Sequence, residues 1–460
     1  MSNYKTINPA TGELIREFGA LADSEVEGVL ARSGQAYNRW RRESVERRAS
    51  VLARAAELFE ERTEELAAVL TEEIGKTLAA ARGEIKTVIG IFRYYSTTAV
   101  KQLDGEELDV AGPGRARLRL DPIGPLVGIM PWNFPYYQVA RFAAPNLLLG
   151  NVIILKHASN CPQSAVMFES LLRDAGLPED AYINVFASHD QVAQMIADDR
   201  VRGVSLTGSE GAGARTGELA GRHLKPVVLE LGGSDPFIVL EDADIEKAAK
   251  DAVAGRLVNN GQTCTASKRF IVVDDVYDEF VEKFVGGMSQ VPTGDPTDPA
   301  TVLGPLSSES AVKDLEEFVA DAVANGANVE TGGERLEGPG SYYPATVLTG
   351  VTETARAYRE ELFGPVAVVY RVPDEQTAIE LANDSPFGLS SSVYTSDVDR
   401  AERISAELEA GMVWVNSVSK SSAELPFGGV KRSGVGRELG EVGLTQFANQ
   451  KLVRVFEDAN

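Results

Sequence analysis

Cysteine is almost missing from this chain. Cys161 and Cys264 are the only two in 460 residues, too few for a disulfide framework. Histidine is nearly as scarce, with only His157, His189 and His223. None of the three sits in a setting that suggests a Cys–His pair, and no metal is expected. Positive charge is in deficit: 45 Lys and Arg against 68 Asp and Glu leave a net charge of −23. Such a field repels phosphate backbones and anionic lipid, so neither nucleic acid nor a membrane is an expected partner. The acid is scattered, as at Glu60, Glu61, Glu64, Glu65, Asp198, Asp199, Asp274 and Asp275. That distribution leads us to expect a protein adapted to high salt, where ions screen the self-repulsion. No apolar run is long enough to span a bilayer. No basic start with an apolar core follows Met1, so no secretory signal is read and the expected address is the cytoplasm. Low-complexity tracts and internal repeats are also lacking.

What is present is an ordinary globular composition, 43% hydrophobic with 43 Gly spread along the chain, enough for two or three domains. From about Asp23 through Arg93, apolar residues recur at helical spacing within a charge-rich stretch, which predicts consecutive helices. Arg115 to Leu120 alternates charge with Ala or Leu and predicts an exposed strand ending near Pro122. Short apolar runs then alternate with helical segments: Leu126–Met130, Val152–Leu155, Val204–Leu206 and Val227–Leu229. Strands alternating with helices imply crossover units and a mostly parallel sheet. A second set, at Phe270–Val273, Val366–Tyr370 and Met412–Asn416, predicts buried strands of another α/β domain. Gly232-Gly233 is a plausible hinge between the two.

Ligands of open α/β sheets sit beyond the carboxyl ends of strands, where Asn133, Lys156, Thr207 and Glu230 fall. Thr207-Gly208-Ser209 opens a Gly-rich strand-to-helix turn, which suits either a pyrophosphate or an ordinary connection. Lys156 fits a ribose or phosphate contact or a solvated surface lysine. Cys264 lies among small and polar residues, which suits an accessible thiol better than a packed one. A nucleophile needs a proton-handling partner. Glu230, at the end of an apolar strand beside two glycines, is the better candidate base; its alternative role is capping a turn. Asn133, between Pro131 and Pro135, is an amide donor that suits an oxyanion hole or a turn.

Together these residues resemble the aldehyde dehydrogenase superfamily, and the likeness runs nearly end to end. It starts at Asn8-Pro9-Ala10-Thr11-Gly12-Glu13 and reaches Phe427-Gly428-Gly429 and Ser433-Gly434. Pro131–Pro135, Glu230–Gly233, Gly261-Gln262-Thr263-Cys264 and Glu360–Pro365 occur in the family's order. Within the superfamily the chain is most similar to short bacterial succinate-semialdehyde dehydrogenases, on Leu155–Ala158, Leu229–Leu240 and Gly338–Pro344. The resemblance implies an α/β fold with a Rossmann-like cofactor domain (1–103 and 123–232), an α/β catalytic domain (233–436) and a small β oligomerisation arm (104–122 and 437–460). It implies NAD(P)-dependent oxidation of an aldehyde to a carboxylic acid through a thiohemiacetal and thioester on Cys264. Asn133 and the Cys264 N–H stabilise the oxyanion, and Glu230 activates water. Trp132, Lys156, Ser159, Thr207, Gly208, Ser209, Glu361 and Phe363 would hold NAD or NADP. Glu230 favours hydrolytic release over acyl transfer to coenzyme A. A homodimer or homotetramer joined through the arm is implied.

Two departures bear on specificity. Ser159 stands where NAD-preferring relatives often carry a Glu that repels a 2′-phosphate, so both NAD and NADP are expected to be accepted. Arg141 matches an arginine that binds the substrate carboxylate in relatives, its alternative being a packing arginine on a helix. A second family arginine appears here as Val258. Ser421 aligns with a substrate-binding serine, Lys420 is a candidate for the missing charge, and Phe427 resembles an aromatic tunnel wall. The expected substrate is succinate semialdehyde, with glutarate and 2-oxoglutarate semialdehydes as alternatives. A non-catalytic cofactor-binding protein and a thiol esterase are the competing classes.

Overall fold

The computed structural model describes residues 4–456. Helices Val26–Trp40, Val45–Glu61, Thr63–Ile74 and Leu78–Ser96 form the amino-terminal layer. Two begin on side-chain caps: Ser44 accepts from the Arg47 N–H and Thr77 from that of Ala80, each filling an orphan helical donor.

These helices lie against a six-stranded sheet. Its parallel strands Pro125–Met130, Val152–His157, Tyr182–Asn184, Gly203–Thr207 and Val227–Glu230 are ordered so that Pro125–Met130 sits between Val152–His157 and Gly203–Thr207. Strand side chains alternate between faces. Leu126, Ile153 and Leu155 therefore enter a core with Trp40, Phe59, Phe92, Phe142 and Phe168, while Val127 and Ile154 enter another with Val26, Val192 and Met195. Helices cover both faces, which is why these strands read as continuous apolar runs.

The chain leaves this sheet after Glu230 and enters a seven-stranded sheet at Asp235–Val239. That sheet also contains Ser267–Val273, Thr346–Thr349, Val366–Val372, Ser390–Tyr394 and Met412–Val415 in parallel, with Asn328–Thr331 antiparallel at one edge. The same alternation holds. Phe237, Phe270 and Val369 face one core, and Ile238, Ile271 and Val368 the other. One expectation needs correcting: Met412–Val415 is half-buried throughout, because it is the edge strand opposite Asn328–Thr331. Gly434-Val435 then pairs antiparallel with Leu229-Glu230, so the chain rejoins the first sheet just before the expected boundary at 436.

Of the two glycines at the crossing between sheets, Gly233 is required by space because backbone crowds it, whereas Gly232 faces the end of a side chain. A Cβ on Gly232 would lie 2.4 Å from the Glu361 carboxylate, and one on Gly233 would lie 2.7 Å from the Cys264 carbonyl. A third sheet, antiparallel, joins Glu106–Leu108, Arg115–Pro122 and Ala448–Val455. Among the described residues no helix is long and apolar enough to cross a membrane.

Candidate active site

The order of the first sheet reverses beside Pro125–Met130, and ligands of open α/β sheets collect at such a point. A cavity of about 280 Å³ opens there. Pro131, Trp132 and Asn133 line it from one strand end and Thr207, Gly208 and Ser209 from the next. Cys264, Glu361 and Phe363 line it from the second sheet's side. The rings of Trp132 and Phe363 meet edge to face at 5.8 Å and form one wall. Ser209 caps helix Glu210–Arg222, its side chain accepting from the Ala212 N–H. The positive end of that helix therefore faces the cavity, where an anion is favoured.

Cys264 is held by an unusual backbone. Asn259, Asn260 and Gly261 all have left-handed φ, at 53°, 57° and 74°. Asn tolerates that region better than most residues. Gly261 has no substitute, because a Cβ would lie 2.4 Å from the Gly364 backbone. Arg256 is fully buried and ties this loop to the Glu361 loop, donating to the carbonyls of Gly261 and Leu362 at 2.8 and 3.2 Å and also to that of Gly364. The Asn133 amide donates to the Gln262 carbonyl at 3.0 Å, and Asn259 donates to the Asn133 carbonyl at 2.8 Å. An amide NH₂ has a second hydrogen to offer. The Cys264 thiol is half-buried. Burial pushes its pKa up to about 12, against the opposing pull of Arg141 and Lys268. The resting group is therefore a thiol at neutral pH.

Glu230 ends its strand with both carboxylate oxygens buried and without a hydrogen-bond partner. Burial raises its pKa well above the usual carboxylate range, and the Arg141 charge opposes this only in part. A carboxylate desolvated in this way is a stronger base than an exposed one, as proton abstraction requires. It packs against Gly428, where an added Cβ would lie 2.7 Å from Oε1.

Arg141 is fully buried on helix Pro135–Leu149 and does not line the cavity. It is ion-paired with Glu438, donates to Thr207 Oγ1 at 3.2 Å and to the Tyr137 hydroxyl at 3.4 Å, and lies 4.3 Å from the Phe427 ring centroid. The Tyr137 hydroxyl is 2.6 Å from Ser421 Oγ, so Arg141, Tyr137 and Ser421 form a chain leading toward the surface. Lys420 is exposed on the same loop as Ser421. Lys156 and Ser159 lie apart from the cavity, near the amino-terminal strand. Lys156 Nζ is 5.9 Å from the Tyr4 ring, and the Ser159 carbonyl accepts from the Lys5 N–H at 3.0 Å.

The expectation that no histidine pairs with a cysteine is overturned at the other cysteine. Cys161 Sγ lies 2.9 Å from His157 Nδ1, one turn beyond the strand end. His157 Nε2 is 2.9 Å from the Pro135 carbonyl, so Nε2 carries the proton and Nδ1 accepts from the thiol. Burial pushes His157 down to about 4 and the Cys161 thiol well above its usual value. This is a neutral structural pair that braces the Asn133 turn. Arg256, Lys268 and Glu438 also hold the site together and are absent from the residues singled out by sequence. A Lys-Arg pair opening the otherwise apolar run Ser267–Val273 was the available signal for Lys268.

The aldehyde dehydrogenase family model matches residues 1–453. The chain belongs to the aldehyde dehydrogenase family. Its relatives include a succinate-semialdehyde dehydrogenase [NADP(+)] of Deinococcus radiodurans, 52% identical over 98% of this chain and 95% of that protein. Another of the same description, from Mycobacterium avium, is 46% identical over 97% and 96%. Among solved structures, a succinic semialdehyde dehydrogenase from Streptococcus pyogenes in complex with NADP+ matches with a TM-score of 0.96 and 42% identity, covering 99% of this chain and all of that one. As in other aldehyde dehydrogenases, the chemistry is oxidation of an aldehyde with a nicotinamide cofactor. The cleft suits that cofactor: it has a helix amino end for phosphate, an acidic side chain beside the cysteine loop and aromatic walls.

Proposed function

We propose that this aldehyde dehydrogenase oxidises succinate semialdehyde to succinate, with NADP+ preferred and NAD+ also accepted. The observation that carries the reading is the convergence of Cys264, the Asn133 amide and Glu361 on one cleft, with a cationic and hydroxylic chain, Arg141–Tyr137–Ser421, leading away from it. Ser209 and Gly208 would hold the pyrophosphate, Glu361 the nicotinamide ribose, and Lys156 with Ser159 a 2′-phosphate. The cofactor supplies a hydride acceptor for the carbon bound to sulfur. The side chains supply the rest. The Cys264 thiol gives its proton to the Glu230 carboxylate, which passes it to solvent before the later step, and the sulfur adds to the aldehyde carbon. The oxyanion accepts hydrogen bonds from Asn133 Nδ2 and the Cys264 N–H. Once the carbon is oxidised to a thioester, Glu230 in its carboxylate form takes a proton from water. The water oxygen bonds to the acyl carbon, the C–S bond breaks, the departing sulfur takes the proton held by Glu230, and the acid leaves. The carboxylate at the far end of the substrate is received by Ser421, Tyr137 and Arg141, with Lys420 adding charge where Val258 supplies none.

Leu452 and Phe456 are 61% and 74% exposed at the unpaired edge of the antiparallel sheet. An open, apolar strand edge invites a second chain, so a homo-oligomer joined through Arg115–Pro122 and Ala448–Val455 is part of this reading. So is a gain in stability with salt, from the net charge of −23. The test is a kinetic screen of succinate, glutarate and 2-oxoglutarate semialdehydes against uncharged butanal, with both cofactors and at several salt concentrations. The reading requires kcat/KM for succinate semialdehyde to exceed that for butanal by at least about 30-fold. Equal values would overturn the substrate assignment.

A further inference from the structure

Lys268 is the second residue of strand Ser267–Val273 and is 1% exposed. A buried ammonium needs acceptors for its three protons, and those of Lys268 are specific. Nζ lies 3.0 Å from the Thr263 carbonyl, 2.8 Å from the Cys264 carbonyl and 3.4 Å from that of Ala266, and 3.0 Å from Glu361 Oε1. Glu361 also accepts from the Gly233 N–H at 3.2 Å. One side chain therefore joins both carbonyls flanking the nucleophile to the carboxylate on the cofactor side of the cleft.

The geometry of the peptide unit gives this contact a consequence. In a trans peptide the C=O of one residue and the N–H of the next point in opposite directions. The described residues contain no cis peptide. The Thr263 carbonyl also accepts from the Ala266 N–H at 3.1 Å, closing a tight turn with Cys264 at its second position. Held from one side by Lys268 and Ala266, the Thr263–Cys264 peptide aims the Cys264 N–H the other way. That N–H donates to no group among the described residues. It is a free donor on the residue that carries the sulfur.

We propose that Lys268 is the positioning residue of the oxyanion hole: by clamping the Thr263 and Cys264 carbonyls it fixes the direction of the Cys264 N–H, and through Glu361 it ties that direction to the cofactor side of the cleft. The proposal rests on Cys264 being the nucleophile, but not on the substrate. Lys268 is not the only charge near the thiol. Arg141 and the Tyr137 hydroxyl come from helix Pro135–Leu149, Asp235 from the start of its strand and Glu361 from its loop, while Glu230 faces Arg141. A general change in thiol acidity must therefore be separated from a change in oxyanion binding.

Two probes without cofactor make that separation. In p-nitrophenyl acetate acylation, sulfur adds to the ester carbonyl, an oxyanion forms, and p-nitrophenolate leaves as the thioester closes. Iodoacetamide alkylation displaces iodide from carbon and forms no oxyanion. Both rates scale with the thiolate, so their ratio reports the oxyanion hole. Lys268→Met should lower the acylation-to-alkylation ratio at Cys264 by at least about tenfold, since misplacing one oxyanion donor costs about that much or more. Lys268→Arg, which can still donate to the carbonyls, should recover part of it. Far-UV circular dichroism and thermal unfolding check the fold. If Lys268→Met does not fold, Lys268→Gln, which keeps two of the three donor hydrogens but not the charge, decides with an expected intermediate ratio. An unchanged ratio in a folded variant, or equal loss of both rates, would overturn the proposal. A wild-type protein whose Cys264 reacts with neither probe would instead overturn the assignment of Cys264 as nucleophile.

Discussion

Replacing Arg141 by Met separates its packing role from its substrate role. Arg141 is fully buried and ion-paired with Glu438, which itself is 4% exposed. Apart from Arg141, Glu438 accepts from Ser205 Oγ at 3.1 Å. Removing the guanidinium leaves a buried carboxylate with one hydroxyl for company, and orphaning one partner of such a pair costs about 3–5 kcal/mol. Arg141→Met should therefore shift the first urea transition by that amount. Replacing both partners by apolar groups of similar volume is close to neutral, so Arg141→Met/Glu438→Met should recover most of the stability. It should not recover specificity. Loss of a desolvated carboxylate partner is worth about 2–5 kcal/mol, so the preference for succinate semialdehyde over butanal should fall by about 30-fold to several thousandfold in both variants. Urea unfolding and paired kcat/KM measurements read the two effects. A single variant as stable as wild type would refute the burial argument. A stable double variant with undiminished preference would refute the substrate role.

Asn133→Ala should lower kcat about 10²- to 10³-fold with little change in KM, as expected for an interaction made to the developing oxyanion; steady-state kinetics check this, and a rise in KM alone would contradict it. Ser159→Glu should lower kcat/KM for NADP+ by about 30-fold or more while sparing NAD+, because a carboxylate replaces a neutral partner of a 2′-phosphate beside Lys156; a cofactor comparison decides it. His157 gives an acid-side stability term. Its folded pKa is depressed from 6.5 to about 4, so the unfolded chain binds the extra proton between those values, and stability falls as pH drops from about 6.5 toward 4, by about 3 kcal/mol in all. Denaturation midpoints across pH 4–7 should show the loss, and His157→Gln should flatten it.

Most residues that line the cleft are legible because each carries a local signal; Gln138, which also lines it, carries none. Trp132 and Asn133 sit in a turn between prolines, Thr207–Ser209 in a Gly-bearing strand-to-helix turn, and Cys264 among small polar neighbours. Apolar runs such as Val152–Leu155 marked strands for the same reason. Met412–Val415 has the composition of a central strand, which predicts burial, while its place at the sheet edge depends on the order of distant strands. Arg256, Lys268 and Glu438 were illegible for a related reason. Their distant partners, Leu362, Glu361 and Arg141 respectively, lie far away in sequence, and the nearby carbonyls that Arg256 and Lys268 also bond leave no mark in a sequence, so each reads as a surface charge until the fold closes over it. The paired left-handed asparagines before Gly261 belong to the same class, since Asn permits that backbone without requiring it.

Acid-quench trapping of the acyl-enzyme bears most directly on the central claim. Wild-type and Glu230→Gln proteins are mixed with succinate semialdehyde and NADP+, quenched within the first turnovers, digested and examined by mass spectrometry. A succinyl thioester should appear on the Cys264 peptide, accumulate in Glu230→Gln because water is no longer activated, and be absent from Cys264→Ala together with turnover. Full-speed turnover by Cys264→Ala, or an acyl group on any other residue, would contradict the account.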